Sequence, residues 1–165
     1  LDAQILTRAD GIIVDTFQVT DPDYQGEPPV ERPQTLGDRI PAVLKGWEHV
    51  DDVLRRGARL KLTKLLPKAP EATEVRIDNE TSDSCTIIDV FADDRQGLLY
   101  VITNAIFQLG LSIHAARIST RLDQVADVFY VTDQTGRKVR DHVQLERVRT
   151  GIEQAIEQFL AVKAA

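Results

Sequence analysis

The chain has 165 residues, a formal net charge of −6 and 42% hydrophobic residues. That apolar content supplies a packed core and excludes wholesale disorder, and the acidic excess lacks the basic face with which nucleic-acid binders meet phosphates. One cysteine, Cys85, excludes an internal disulfide framework and any multi-cysteine metal site, and no apolar run approaches the roughly 20 residues that span a bilayer.

Residues 1–21 read as two strands around Ala9-Asp10-Gly11, whose Asp-Gly pair is a hairpin signal. In the second strand Ile13, Asp15, Phe17 and Val19 share one register, the mainly apolar one that a half-buried strand requires. PDYQGEPPVERPQ, 22–34, is proline-rich and reads as a surface loop. Thr35 stands at an N-cap position before Leu36, Ile40, Val43, Leu44, Trp47, Val50 and Leu54 at helical spacing, with Gly57 as the stop and Pro41 marking the first turn or a kink. ARLKLTKLLPKAP, 58–70, is basic and leads into a linker at 65–73.

EVRIDNE, 74–80, and CTIIDVFA, 85–92, read as strands, and ADDRQG as the turn between the second of them and a helix at 98–109. That helix carries Leu98, Leu99, Ile102, Ala105, Ile106 and Leu109, and stops at Gly110. Strands near 112–120 and 125–132 form a hairpin. Gly136 turns the chain, and Asp141 caps a last helix bearing Leu145, Val148, Ile152, Ala155, Ile156 and Phe159. The order is βαββα with one extra strand before it. A ferredoxin-like βαββαβ sheet needs one more strand, a place that 74–80 can fill from the other side of the sequence.

DTFQVTD at 15–21 returns as DVFYVTD at 127–133. The match extends backwards, for Ala3, Ile5, Thr7, Arg8 and Asp10 recur as Ala116, Ile118, Thr120, Arg121 and Asp123, with one extra residue in the first copy's turn. Such spacing suits tandem small domains. The division is then 1–64, the second half of a first copy; 65–73, a linker; and 74–165, a second copy. The chain has no methionine and opens on Leu-Asp inside a periodic segment, so it reads as a piece cut from a longer polypeptide whose upstream part holds the rest of the first copy.

IDVFADDRQGLLYVITNAIFQLGLSIHAARI, with its D-R-x-G-L-L turn and L-G-L-x-I-x-x-A-R-I strand, resembles the first half of an ACT domain, a small-molecule-sensing module. TRLDQVADVFYVTD and its partial twin ILTRADGIIVDTFQVTD are similar to the tandem ACT repeats of the bacterial PII uridylyltransferase/uridylyl-removing enzyme family. The resemblance implies an α+β fold, a ferredoxin-like (ACT) βαββαβ sandwich, tandem, with the first copy truncated. It implies a cytoplasmic regulatory region that binds an amino acid, glutamine by preference, and controls uridylylation and deuridylylation of the PII protein by its parent enzyme. The parent would need a divalent metal and UTP; no cofactor is expected in these 165 residues, and neither nucleic acid nor membrane is expected as a partner. A homodimer through ACT sheets or helices is expected, and a ligand-independent dimerisation module is the alternative. The common ACT turn has proline before its glycine, whereas this chain has Gln96, so a preset φ is lost.

The expected ligand residues are Asp93, Asp94, Gln96, Gly97, Leu98, Asn104, Ile113 and His114. A turn entering a helix offers free backbone N–H groups to a carboxylate, and Gly97 permits close approach. Asp93 or Asp94 can hold the ammonium group, and Gln96 or Asn104 a side-chain amide. The plainer alternative is that Asp94 caps the helix and Gly97 serves only the turn. His114 either donates to a ligand or is structural. His49, His142 and Cys85 read as structural or surface residues, lacking the spacing of a zinc or nucleophile site. Asp15 and Asp127 either face inward or bond neighbouring turns. Arg59, Lys61, Lys64 and Lys68 form a solvated basic stretch or meet an acidic surface of the parent.

Overall fold

The structure is a computed structural model and describes residues 2–7, 12–19, 24, 26, 29–50, 52–53, 72–121 and 124–162. Its elements are β1 (Asp2–Thr7), β2 (Ile13–Gln18), α1 (Glu31–Leu44), β3 (Glu74–Asp78), β4 (Thr86–Asp93), α2 (Leu98–Gln108), β5 (Leu111–Arg117), β6 (Thr120–Arg121), β7 (Gln124–Asp133) and α3 (His142–Val162). The strands form one antiparallel sheet in the order β2-β1-β5-β7-β4-β3, with β6 paired to β7.

Within 74–162 the order β4-α2-β5-β7-α3 lacks the last strand of a ferredoxin-like sheet, and β3 supplies it. β3 lies antiparallel on the outer side of β4, Val75 opposite Val90, in the place that a strand after α3 would otherwise take. The core lies between the sheet and the two helices. α2 buries Leu98, Ile102 and Ile106, and α3 buries Val148, Ile152 and Ile156, each set four residues apart and so on one helical face. They meet Ile88, Val90 and Ala92 of β4 and Val125, Phe129 and Val131 of β7, which alternate to one side of the sheet. At Gly151 a Cβ would stand 3.2 Å from Leu109 Cδ1 and Cδ2, so the glycine lets the helices pack closely there.

The last helix is capped as its sequence suggests. Asp141 Oδ1 accepts the Gln144 N–H at 2.7 Å, and its carbonyl accepts the Leu145 N–H. Asp141→Ala is expected to cost about 1 kcal/mol, measured as a lower midpoint of urea unfolding without a change in slope.

The first hairpin docks on the second repeat through equivalent residues. β1 pairs with β5 at Ala3↔Ala116, the two alanines that occupy the same position of the duplicated sequence. Two equivalent antiparallel strands that meet at equivalent residues are related by a local two-fold axis through that pair. The compact units follow from this pairing and not from chain order: Leu1–Val19 joins Ala69–Ala165, and Thr20–Lys68 is the other unit. The division by repeat at 1–64 and 74–165 therefore differs from the grouping in space.

Two local expectations are corrected. β2 is not half-buried, for every residue from Ile13 to Gln18 is exposed, because β2 is the last strand of the sheet. α1 starts at Glu31 rather than after Thr35, and the Thr35 hydroxyl donates back to the Glu31 carbonyl at 2.7 Å instead of capping. Pro33 lies in its first turn, which tolerates proline, while Pro41 lies inside the helix near its end. The Asp10-Gly11 turn and the basic stretch at 58–70 lie outside the described residues.

Candidate ligand site

β4 ends at Asp93, and the chain turns through 94–97 into α2. The turn is closed by the Leu98 N–H donating to the Arg95 carbonyl at 2.9 Å, and the first helical bond runs from the Val101 N–H to the Gly97 carbonyl. Gly97 is the N-cap residue, with φ +96°, a left-handed conformation that a Cβ disfavours. Since that position has no side chain, it supplies no capping oxygen to the helix. A bound anion can take that role, which positive partial charge at a helix start favours.

Around this turn Asp94 and Gln96 are exposed, and Asp93 and Gly97 are half-buried. Leu98 is different. Its side chain is core, 1% exposed, and its N–H closes the turn. Asn104 lies two helical turns along α2, about 10 Å from Gly97 by helix rise, on an open groove of about 340 Å³ between α2 and α3 that is also lined by Tyr100, Gln108, Gly151 and Ala155.

Ile113 and His114 stand at the other end of the sheet. Asp93 pairs with Gln124 at the start of β7, whereas His114 Nε2 lies 2.8 Å from the Thr132 hydroxyl at its end. Eight strand residues separate those levels, roughly 27 Å. The structure thus brings 93–98 together and sets Ile113 and His114 apart from them. Ile113 packs against the core, and His114 is the extra residue of a bulge between Ile113 and Ala115.

The local two-fold accounts for the split. About Ala3↔Ala116, the start of β1 runs towards the end of the sheet that carries the 93–97 turn, and the end of β1 runs towards the start of β5, where His114 lies. Of the eight residues, Asp93, Asp94, Gln96 and Gly97 therefore lie at one end of the β1–β5 seam and Ile113 and His114 at the other, with Leu98 in the core and Asn104 on the groove between α2 and α3.

Asp127, the repeated aspartate, is buried beneath the sheet end that carries the turn. It is 1% exposed and paired with Val90 in register, and its Oδ1 accepts the Ser119 N–H at 3.1 Å, at the break between β5 and β6. Burial pushes its carboxyl up to about 6; the Ser119 N–H opposes that shift and the charge of Asp94 adds to it. Both readings of the repeated aspartate therefore hold at once for Asp127, inward and bonded to a neighbouring turn, whereas Asp15 on the last strand is exposed. Thr132 went unnoticed in the sequence, although Thr20 and Thr132 are matched in the repeat. His49 and His142 are exposed, and Cys85 is half-buried.

Comparison with known proteins agrees with this architecture. The profile of the ACR family N-terminal ACT domain matches residues 81–159. The chain is 34% identical over 165 residues, its full length, to the bifunctional uridylyltransferase/uridylyl-removing enzyme of Bradyrhizobium diazoefficiens, of which it covers 17%. It is 33% identical over 170 aligned residues to the enzyme of the same name from Rhodospirillum rubrum, covering 99% of this chain and 17% of that one. The Nitrobacter hamburgensis enzyme is 37% identical over 139 residues, 84% of this chain and 15% of the relative. No solved structure matches. Among the described residues no helix is long and apolar enough to cross a membrane. With its ferredoxin-like sheet and its glycine turn, the part of the chain at 81–159 belongs to the ACT domain family, and the chain is similar along its whole length to one region of these uridylyltransferase/uridylyl-removing enzymes.

Proposed function

We propose that the chain is the amino-acid-sensing region of a cytoplasmic uridylyltransferase/uridylyl-removing enzyme and binds glutamine at the seam between its repeats. The observation that carries this reading is the Gly97 turn, a helix start without a side-chain cap at its N-cap position, set at the sheet end nearest the start of β1. The ligand carboxylate meets the first amides of α2, and Asp93 or Asp94 holds the ammonium group. Gln96 serves the side-chain amide. Ile113 and His114, at the other end of the seam, lie too far from this turn to touch the same ligand.

Glutamine bound across the seam favours one arrangement of the repeats over another. Only such a difference in affinity shifts an equilibrium. In the parent enzyme, which would use UTP and a divalent metal, that shift sets the balance between uridylylation and deuridylylation of PII. Glutamine is expected to raise the melting temperature of the chain by a few degrees at saturating concentration, and glutamate and serine by less. A flat response to all three in a thermal-shift or calorimetric titration removes the reading.

A second reading has its own support. The outermost strand β2 leaves Ile13 and Phe17 62% and 58% exposed, and an uncovered apolar edge strand invites pairing with another chain. Light scattering separates the two, since a dimer that is indifferent to amino acids favours a ligand-independent association module.

A further inference from the structure

Asp127 shares one side of β7 with Val125 and Phe129, the side that faces the helices, so its carboxyl lies within the core at the sheet end that carries the Gly97 turn. It makes a structural tie there. Its Oδ1 accepts the Ser119 N–H, and the Ser119 carbonyl accepts the Ala126 N–H at 2.8 Å. Ser119 comes two residues after the end of β5, three beyond the Ala3↔Ala116 pair, so the carboxyl holds the end of the seam nearest the turn.

A buried carboxylate needs compensation for its charge. Among the described residues the charged side chain that acts on Asp127 is Asp94 of the turn, which opposes its ionisation. The amino terminus of the chain favours ionisation, and Val90, opposite on β4, is apolar. The carboxyl thus faces charge of its own sign from the turn, and positive charge brought to the turn would cancel that repulsion.

Resting on the sensor reading above, we infer that Asp127 makes amino-acid binding proton-linked: when an ammonium group docks at Asp93 or Asp94, Asp127 gives up its proton, so a zwitterion binds more tightly as the solution becomes less acid. The coupling is reciprocal, for whatever factor the ligand applies to proton affinity, the proton applies to ligand affinity. The sign follows from the charges. A bound ammonium favours the ionised carboxyl, protons leave on binding, and affinity rises with pH until Asp127 is ionised in the free chain as well. Asp127 itself touches no ligand; it couples the core to the turn.

The test titrates the whole chain with glutamine in a calorimeter at pH 6, in buffers of different ionisation enthalpy, which counts the protons exchanged. Release of a fraction of one proton is expected from the unmutated chain. None is expected from Asp127→Asn, which keeps an oxygen for the Ser119 N–H and does not titrate. From pH 5 to pH 7 the affinity of the unmutated chain relative to that variant is expected to rise on the order of threefold to tenfold, and the comparison cancels every other titrating group. The carbon-13 resonance of the Asp127 carboxyl reads the same coupling without a variant, since its midpoint is expected to move to lower pH with glutamine bound. Glutaramate, which lacks the ammonium, is expected to leave the midpoint in place, and an equal movement with glutaramate overturns the inference. Equal proton counts from both chains, or an unmoved midpoint with glutamine bound, sinks this inference and leaves the sensor reading standing. Absence of glutamine binding at every pH sinks both.

Discussion

Gly97→Ala is expected to abolish glutamine binding while leaving a folded chain that is about 1–2 kcal/mol less stable. The physical reason is the φ of +96° at Gly97, which places an L-residue's Cβ against its own backbone. There is no outside clash to confuse the result, since a Cβ there would stand 3.5 Å from Phe159, an ordinary contact. The strain is relieved if the turn reshapes, and a reshaped turn no longer aims the first amides of α2 at a carboxylate. Gly136 supplies the control. Its φ is +77°, a Cβ there would meet nothing within 4 Å, and it lies in the turn after β7, at the sheet end opposite the Gly97 turn. Gly136→Ala is expected to lose a similar amount of stability and to bind glutamine unchanged. If both variants lose binding alike, the loss reports general destabilisation, and the turn has no special role.

The second large effect concerns Asp127. Its carboxyl is raised from 3.8 to about 6 in the folded chain by burial, against the pull of the Ser119 N–H. The native state therefore holds a proton more tightly than the unfolded state between about pH 4 and pH 6. Stability from this group is greatest below that window, falls as pH rises through it, and is level above it. The difference is on the order of 2–3 kcal/mol. Asp127→Asn keeps an oxygen for the Ser119 N–H and removes the charge. The difference between the variant's and the unmutated chain's stability is expected to grow in the variant's favour from pH 4 to pH 6 and to stay constant from pH 6.5 to pH 8. Asp127→Ala leaves the Ser119 N–H without its acceptor, which costs about 1–3 kcal/mol and offsets much of that gain. Parallel denaturation curves for Asp127→Asn and the unmutated chain across the whole range would show that the carboxyl is not perturbed by burial.

These expectations depend on features that differ in how openly the sequence carries them. The Gly97 turn was legible because a tight turn into a helix demands a residue without Cβ, and the surrounding D-R-x-G-L-L pattern marks it. The apolar faces of α2 and α3 were legible for the same kind of local reason, a repeat of four residues. That the 74–80 strand can fill the vacant place was legible from a count of strands alone, because the ferredoxin-like sheet has one place left; its pairing with β4 came from the structure. Thr35 misled. Threonine inside a helix can satisfy its hydroxyl on the carbonyl one turn back, so a residue with capping chemistry does not by itself mark a helix start.

The candidate site was only half legible. Asp93 to Leu98 are neighbours in sequence and remain neighbours in space, so a local motif sufficed. Ile113 and His114 follow α2 closely in the chain, yet the chain re-enters the sheet at the opposite end, and nothing in a one-dimensional pattern measures that distance. The partner of His114 was likewise out of reach, since Thr132 meets it across a strand pair whose register is shifted by a bulge.

By itself the sequence determined the duplicated hairpin, the βαββα order, the glycine turn and the capped last helix, because each is written in local periodicity, turn chemistry or direct repetition. Only the tertiary structure decided that Ala3 pairs with Ala116, that Asp127 is buried while Asp15 is exposed, and that the Gly97 turn and His114 fall at opposite ends of one sheet. Register and burial are set by which strands lie side by side, and that depends on contacts between residues more than a hundred positions apart.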